Sequence, residues 1–90
     1  MKQKVKVEIY TWDHCPYCQR TLQLFNSKGI KYIQYKIDGD EAARDKMSVR
    51  TSGRKTVPQV FIDEKHIGGC DDTHALDLKG ELNKLIFENP

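Results

Sequence analysis

The chain has 90 residues, 38% hydrophobic and 31% charged, with 15 Lys and Arg against 13 Asp and Glu for a net charge of +2. That suits one globular domain, residues 1–90: too apolar for a disordered chain, and too evenly mixed in sign for a dedicated nucleic-acid surface. No apolar run approaches the length of a membrane span, and Met1 to Lys6 lacks the hydrophobic stretch of a signal peptide, so the expectation is a cytoplasmic protein. Lys2, Lys4 and Lys6 read as a solvated strand face rather than a binding patch. Three cysteines are an odd count and too few for a secreted disulfide scaffold; in a reducing compartment a C-x-x-C is catalytic or metal-binding.

Taken in order, Lys4 to Trp12 alternates, with Val5, Val7, Ile9 and Thr11 facing one way and Lys6, Glu8, Tyr10 and Trp12 the other. This predicts a strand, although a central strand covered on both faces would read more continuously apolar. The period then changes to that of a helix from Tyr17 to Lys28, with Cys18, Leu22 and Phe25 on its inner face and Gly29 as its stop. Lys31 to Ile37 alternates again, placing Ile33, Tyr35 and Ile37 on one side. Asp40 can cap a helix over Glu41 to Arg50 that ends at Ser52-Gly53. Val57 to Asp63 is the third strand, with Pro58 at its start, where a missing ladder donor is tolerated. A turn at Asp63-Glu64-Lys65 leads to a short return strand, His66 to Gly68. A last helical stretch opens at Asp71-Asp72 and runs through Leu76, Leu82 and Ile86, kinked or divided at Gly80. The order β-α-β-α-β-β-α predicts an α/β fold: a four-stranded mixed sheet flanked by helices, its first two strands parallel through a right-handed crossover. Ligands in such sheets gather where strands feed helices.

Cys15-Pro16-Tyr17-Cys18 lies at such a place. Pro16 suits the first helical position, where its missing N–H has no intrahelical partner anyway. Cys15 then falls at or beside the N-cap, solvent-facing, near the positive end of the helix dipole, with Cys18 sheltered one turn further in. That is the arrangement of a disulfide exchanger. For a thiol in general, lowering the pKa from about 8.5 to roughly 5.5 raises the thiolate fraction at neutral pH about thirtyfold, and lowers nucleophilicity by roughly the same factor. The gain is in the other half of the cycle, because a low-pKa sulfur is the better leaving group. His14 is placed to tune the neighbouring thiol or simply to stand in solvent. His66 and His74 read as surface or turn residues, and Cys70 as a packed thiol rather than a regulatory one.

Three pieces together resemble the glutaredoxin family, in particular its short bacterial dithiol type: Tyr10-Thr11 ahead of Cys15-Pro16-Tyr17-Cys18, Thr56-Val57-Pro58-Gln59, and His66-Ile67-Gly68-Gly69-Cys70-Asp71-Asp72. The resemblance spans nearly the whole chain. It implies a thioredoxin-like fold with Pro58 cis against the active-site sulfurs, and a glutathione groove between the three pieces. On that footing Cys15 is the nucleophile and Cys18 the resolving thiol. Trp12, Tyr17, Thr56, Val57, Pro58, Gly69, Cys70, Asp71 and Asp72 border glutathione. Val57 pairs with its cysteinyl backbone, and Asp71 and Asp72 hold its γ-glutamyl end. The implied partners are glutathione as reductant, glutathionylated or disulfide-containing proteins (ribonucleotide reductase among them), and glutathione reductase indirectly. No metal, nucleic acid or membrane is implied, and the expected state is a monomer. The family often has lysine three residues before the nucleophile, where this chain has Trp12; Arg54, Lys55 and Lys31 are the candidates to supply that charge.

Three rivals share the motif. A zinc module could draw on Cys15, Cys18, His66, Cys70 and His74, although zinc knuckles place C-x-x-C in a hairpin turn rather than at a helix start. An iron–sulfur carrier would bridge two protomers through Cys15 and glutathione, a role that Pro16 and Tyr17 disfavour by crowding the site. A thioredoxin would carry Trp-Cys-Gly-Pro-Cys and lack the glutathione groove.

Overall fold

The computed structural model describes residues 2–88. Its strands are β1 (Val7–Thr11), β2 (Ile33–Lys36), β3 (Gln59–Ile62) and β4 (Lys65–Gly68), in the order β2-β1-β3-β4 across the sheet. β1 runs parallel to β2 and antiparallel to β3, and β3 and β4 form a hairpin. Asp63 and Glu64, with φ of 52° and 66°, make its two-residue turn, so the return strand starts at Lys65 rather than His66. β3 is shorter than the expected 57–63 and begins after Pro58, which has no N–H for a ladder.

Helix α1 (Pro16–Ser27) has Pro16 in its first turn and buries Cys18, Thr21 and Phe25; Gly29, at φ +68°, turns the chain out of it. Helix α2 (Glu41–Arg50) is capped by Asp40, whose Oδ1 accepts the Ala43 N–H at 3.0 Å. The last helical stretch is divided: α3 (Cys70–Leu78) starts one residue before Asp71, and α4 (Glu81–Ile86) follows Gly80 at φ +74°. A continuous helix cannot pass through that left-handed residue.

The two faces of the sheet bury different things. On one, Val7, Ile9, Val60 and Ile62 pack with Phe25 of α1, Leu82 and Ile86 of α4, and Phe87. On the other, Tyr10 and Phe61 pack with Ile37 and with Met47 of α2. β1 is therefore buried at all five residues, Glu8 included at 2% exposed, which its alternation did not announce. Glu8 is held by a two-pronged ion pair to Arg50 at the end of α2 (Nη2 to Oε1 and Nη1 to Oε2, both 3.0 Å) and by the Tyr35 hydroxyl at 2.8 Å. The guanidinium of Arg50 lies 3.8 Å from the Phe61 ring centroid and donates to the Tyr10 hydroxyl at 3.1 Å. The Arg50 hydrogen bonds hold the Glu8 carboxyl below its ordinary pKa against the opposing pull of burial. Lys6 is exposed as expected, and from there reaches Glu64 at 3.1 Å and Glu8 at 3.6 Å. β2 departs from expectation in the other direction. As the edge strand it leaves Ile33 44% exposed and Tyr35 half-buried, and only Ile37, just past its end, is buried.

Candidate active site

β1 ends at Thr11, and Trp12-Asp13-His14 turns the chain into α1. Asp13 is tied down by its N–H, which donates to Asp38 Oδ2 at 2.7 Å. Cys15 is the N-cap in extended conformation, and its Sγ accepts the Cys18 N–H at 3.2 Å, so the sulfur does the work that a serine oxygen does at an ordinary cap. Cys15 and Cys18 are joined as a disulfide with Cα atoms 5.2 Å apart. The contrast in exposure is narrower than the sequence suggests: Cys15 is 7% exposed and Cys18 fully buried. The reason is the segment opposite, where the Val57 carbonyl oxygen stands 3.9 Å from Cys15 Sγ. The Val57–Pro58 bond is cis, as the family resemblance implies.

Beside the disulfide lies an open hollow lined by Tyr17, Thr56, Val57, Pro58, Gly69, Cys70, Asp71 and Asp72, all expected at the site, together with Arg54. Two glycines let its walls approach. A Cβ on Gly68, whose φ is +125°, would occupy the space of the Asp72 carboxylate, and one on Gly69 would stand 3.4 Å from the Pro58 carbonyl oxygen. Asp72 is the third residue of α3; its Oδ2 accepts the Gly69 N–H at 3.1 Å and lies 4.0 Å from Arg54 Nη1. Asp71 is exposed in the same first turn. Cys70 is a free thiol, 5% exposed. Tyr17 is 56% exposed, with the guanidinium of Arg20 6.0 Å from its ring centroid.

Among the three candidate cations, the geometry selects Arg54. Lys55 extends to Asp45 at 3.8 Å, and Lys31 borders a remote groove with Lys2, Lys4 and Phe87. No periodicity marks Arg54, because it sits in a loop. Trp12 is the one expected groove residue that does not line the hollow. Its half-buried ring turns toward the Tyr10, Ile37 and Met47 cluster, and Arg44 of α2 lies over it at 5.5 Å. The second core offers the indole an apolar bed, with the Arg44 guanidinium over its ring.

The histidines divide. His14 is exposed at φ 57°. His66 is half-buried rather than on the surface; its Nε2 donates to Gln59 Oε1 at 2.7 Å, and its ring lies 5.2 Å from that of Phe61. Burial first, and then the nearby Arg54 charge, lower its pKa below the ordinary value. His74 has its Nε2 buried within the fold. The set Cys15, Cys18, His66, Cys70 and His74 is not brought together as metal ligands. Among the described residues, no group of three or more His, Cys, Asp or Glu could hold a metal ion.

Comparison with known proteins agrees with this geometry. The glutaredoxin family profile matches residues 7–67. Glutaredoxin 3 of Escherichia coli is 54% identical over 80 residues, covering 89% of this chain and 95% of that protein. A probable glutaredoxin of Synechocystis is 50% identical over 86 residues, covering 96% and 98%. Among solved structures, the buckwheat glutaredoxin–glutathione complex superposes with a TM-score of 0.82 at 30% identity, over 91% of this chain and 76% of that one. The glutaredoxin of Brucella melitensis does so at 0.79 and 43%, over 91% and 88%. A helix-capping cysteine pair facing a cis-proline, on a thioredoxin-like sheet and with this kinship, places the chain in the glutaredoxin family of thiol–disulfide oxidoreductases.

Proposed function

We propose that the protein reduces glutathione mixed disulfides and protein disulfides with electrons from glutathione. The observation that carries this reading is the opening of the Cys15–Cys18 pair beside a hollow that gathers the Arg54 guanidinium and the Asp71 and Asp72 carboxylates next to the Val57 backbone. Glutathione carries a carboxylate at one end and an ammonium with a carboxylate at the other. Laid along Val57, it gains backbone hydrogen bonds as an added strand would. Its γ-glutamyl ammonium meets Asp71 and Asp72, and the adjacent carboxylate meets the N–H groups at the start of α3 and the Arg54 guanidinium, which stands 4.0 Å from Asp72. The known glutathione complex of the buckwheat relative supports glutathione as the ligand.

In the monothiol branch, the Cys15 thiolate attacks the glutathione sulfur of a protein–glutathione disulfide. A Cys15–glutathione disulfide forms, and the protein leaves as a thiolate that takes a proton from solvent. The thiolate of a second glutathione attacks the glutathione sulfur of that adduct, forming oxidised glutathione and expelling the Cys15 thiolate. In the dithiol branch, Cys15 attacks a protein disulfide, then the Cys18 thiolate attacks the Cys15 sulfur. The substrate departs as a dithiol, and the Cys15–Cys18 bridge described here remains. Two glutathione molecules reopen it. Capping the helix with Cys15 serves the expulsion step, because the Cys18 N–H that bonds its sulfur is in place to hold the departing thiolate.

The test is glutathione-dependent reduction of a mixed disulfide, coupled to glutathione reductase. Cys18→Ser is expected to keep this activity and to lose reduction of a protein disulfide. Retention of either activity by Cys15→Ser would overturn the assignment.

A further inference from the structure

The groove wall opposite the cysteines is poorly anchored by backbone. After α2 the chain runs through Thr51 to Pro58 outside any strand, and the sheet resumes only at Gln59. Side chains hold this stretch in place. Behind, Thr51 Oγ1 donates to the Arg54 carbonyl at 2.7 Å; ahead, Gln59 Nε2 donates to Thr56 Oγ1 at 3.4 Å. Between them, Arg44 Nε donates to the Lys55 carbonyl at 3.2 Å. This middle anchor also reaches the segment leading into Cys15, because the same guanidinium lies 5.5 Å from the ring centroid of Trp12, three residues before Cys15. Arg44 is itself fixed on the first turns of α2, where its N–H donates to the Asp40 carbonyl at 3.0 Å.

We propose that Trp12 and Arg44 form a strut between the segment leading into Cys15 and the Lys55–Val57 groove edge, so that Arg44 is a positioning residue for glutathione. The ligand identity rests on the reading above; the strut itself rests on the contacts just given. A planar guanidinium can lie on an aromatic face and still direct its Nε hydrogen at a carbonyl in its own plane. A lysine ammonium can satisfy one contact but not both. The exposed Lys55–Asp45 pair reaches the same loop, but only through two long, solvated side chains, and cannot replace a bond to the backbone. A residue that positions the wall lowers KM for glutathione without touching the reacting sulfurs, so its loss raises KM and spares kcat.

The experiment compares wild type with Arg44→Ala, Arg44→Lys, Trp12→Ala, Trp12→Phe and the double alanine variant, in steady state with varied glutathione and in amide hydrogen exchange over residues 54–57. The expected result is a KM rise of roughly three- to tenfold in Arg44→Ala, Arg44→Lys and Trp12→Ala, the scale of one or two lost contacts, with kcat little changed. Trp12→Phe should recover most of the loss, and the double variant should be no worse than either single one. Exchange at 54–57 should quicken in the same variants. An Arg44→Lys protein as good as wild type, or fully additive alanine effects, would overturn the strut. Unchanged exchange in Arg44→Ala would overturn it even if the wild-type protein turned over no glutathione disulfide, a result that would instead defeat the functional reading.

Discussion

The Cys15 hollow and the Glu8–Arg50 pocket both set charged groups against one another, one at the end of β1 and the other at its middle. In the hollow, the polar groups point at one another across open space: Arg54 and Asp72 meet only at 4.0 Å, and both are about half exposed. Under α2 every prong is closed, with Glu8 matched by two guanidinium nitrogens and a hydroxyl. Groups left loosely paired at a concave surface can exchange their partners for a ligand. Groups paired within 3.0 Å in a closed pocket cannot, and they serve instead to lock α2 to the sheet.

That contrast predicts a double dissociation. The largest effect belongs to the hollow: in reduced protein, Cys15→Ser should abolish both exchange activities while leaving the denaturant midpoint nearly unmoved. Glu8→Ala should do the reverse, costing about 3–5 kcal/mol in chemical denaturation because Arg50 is left as an uncompensated charge. Whatever fraction stays folded should keep its specific activity. A stable Glu8→Ala protein would show that the pair is dispensable to the lock.

Arg54→Ala is expected to raise KM for glutathione by roughly tenfold, about 1.4 kcal/mol, with little change in stability, since its pair with Asp72 is half exposed. The smallest effects are in pH dependence. Glu8 has a lowered pKa in the folded state, so the unfolded chain binds the extra proton; the stability it confers is full above its ordinary value of 4.5 and is lost as pH falls through the folded value. Glu8→Gln should flatten the stability curve in that window. His66, also lowered, gives a shallower loss beginning below its ordinary value of 6.5, which His66→Asn should remove. An unchanged acid limb in Glu8→Gln would mean that the carboxyl titrates alike in both states.

Most of the cysteine side of the site was legible because its signals are local. A proline one residue after a cysteine, a helical period and a glycine stop all act within a dozen residues. Asp71 and Asp72 were legible for the same reason, as the opening turn of a helix. The packing of Trp12 was not legible, because its position in sequence, beside Cys15, says nothing about which way an indole turns at a strand end. Arg54 could be named only as one of three cations, since it sits in a loop, and Arg44 was beyond reach, since it sits on a helix whose partner is 32 positions earlier in the chain.

By itself the sequence determined the alternation of strands and helices, the cysteine at the N-cap, the turn chemistry and the apolar face of the sheet. These follow from side-chain period and backbone preference, which each residue carries with it. Only the tertiary structure decided that β1 is covered on both faces. It made Glu8 a core residue because Arg50 arrives from 42 positions away, and it left β2 at the edge with Ile33 in water. It also selected Arg54 from three cations and gave Trp12 to Arg44. Each of those outcomes turns on which charge or ring meets which across the fold. Coulomb attraction and burial are settled by distance in space, and the order of residues along the chain does not encode that distance.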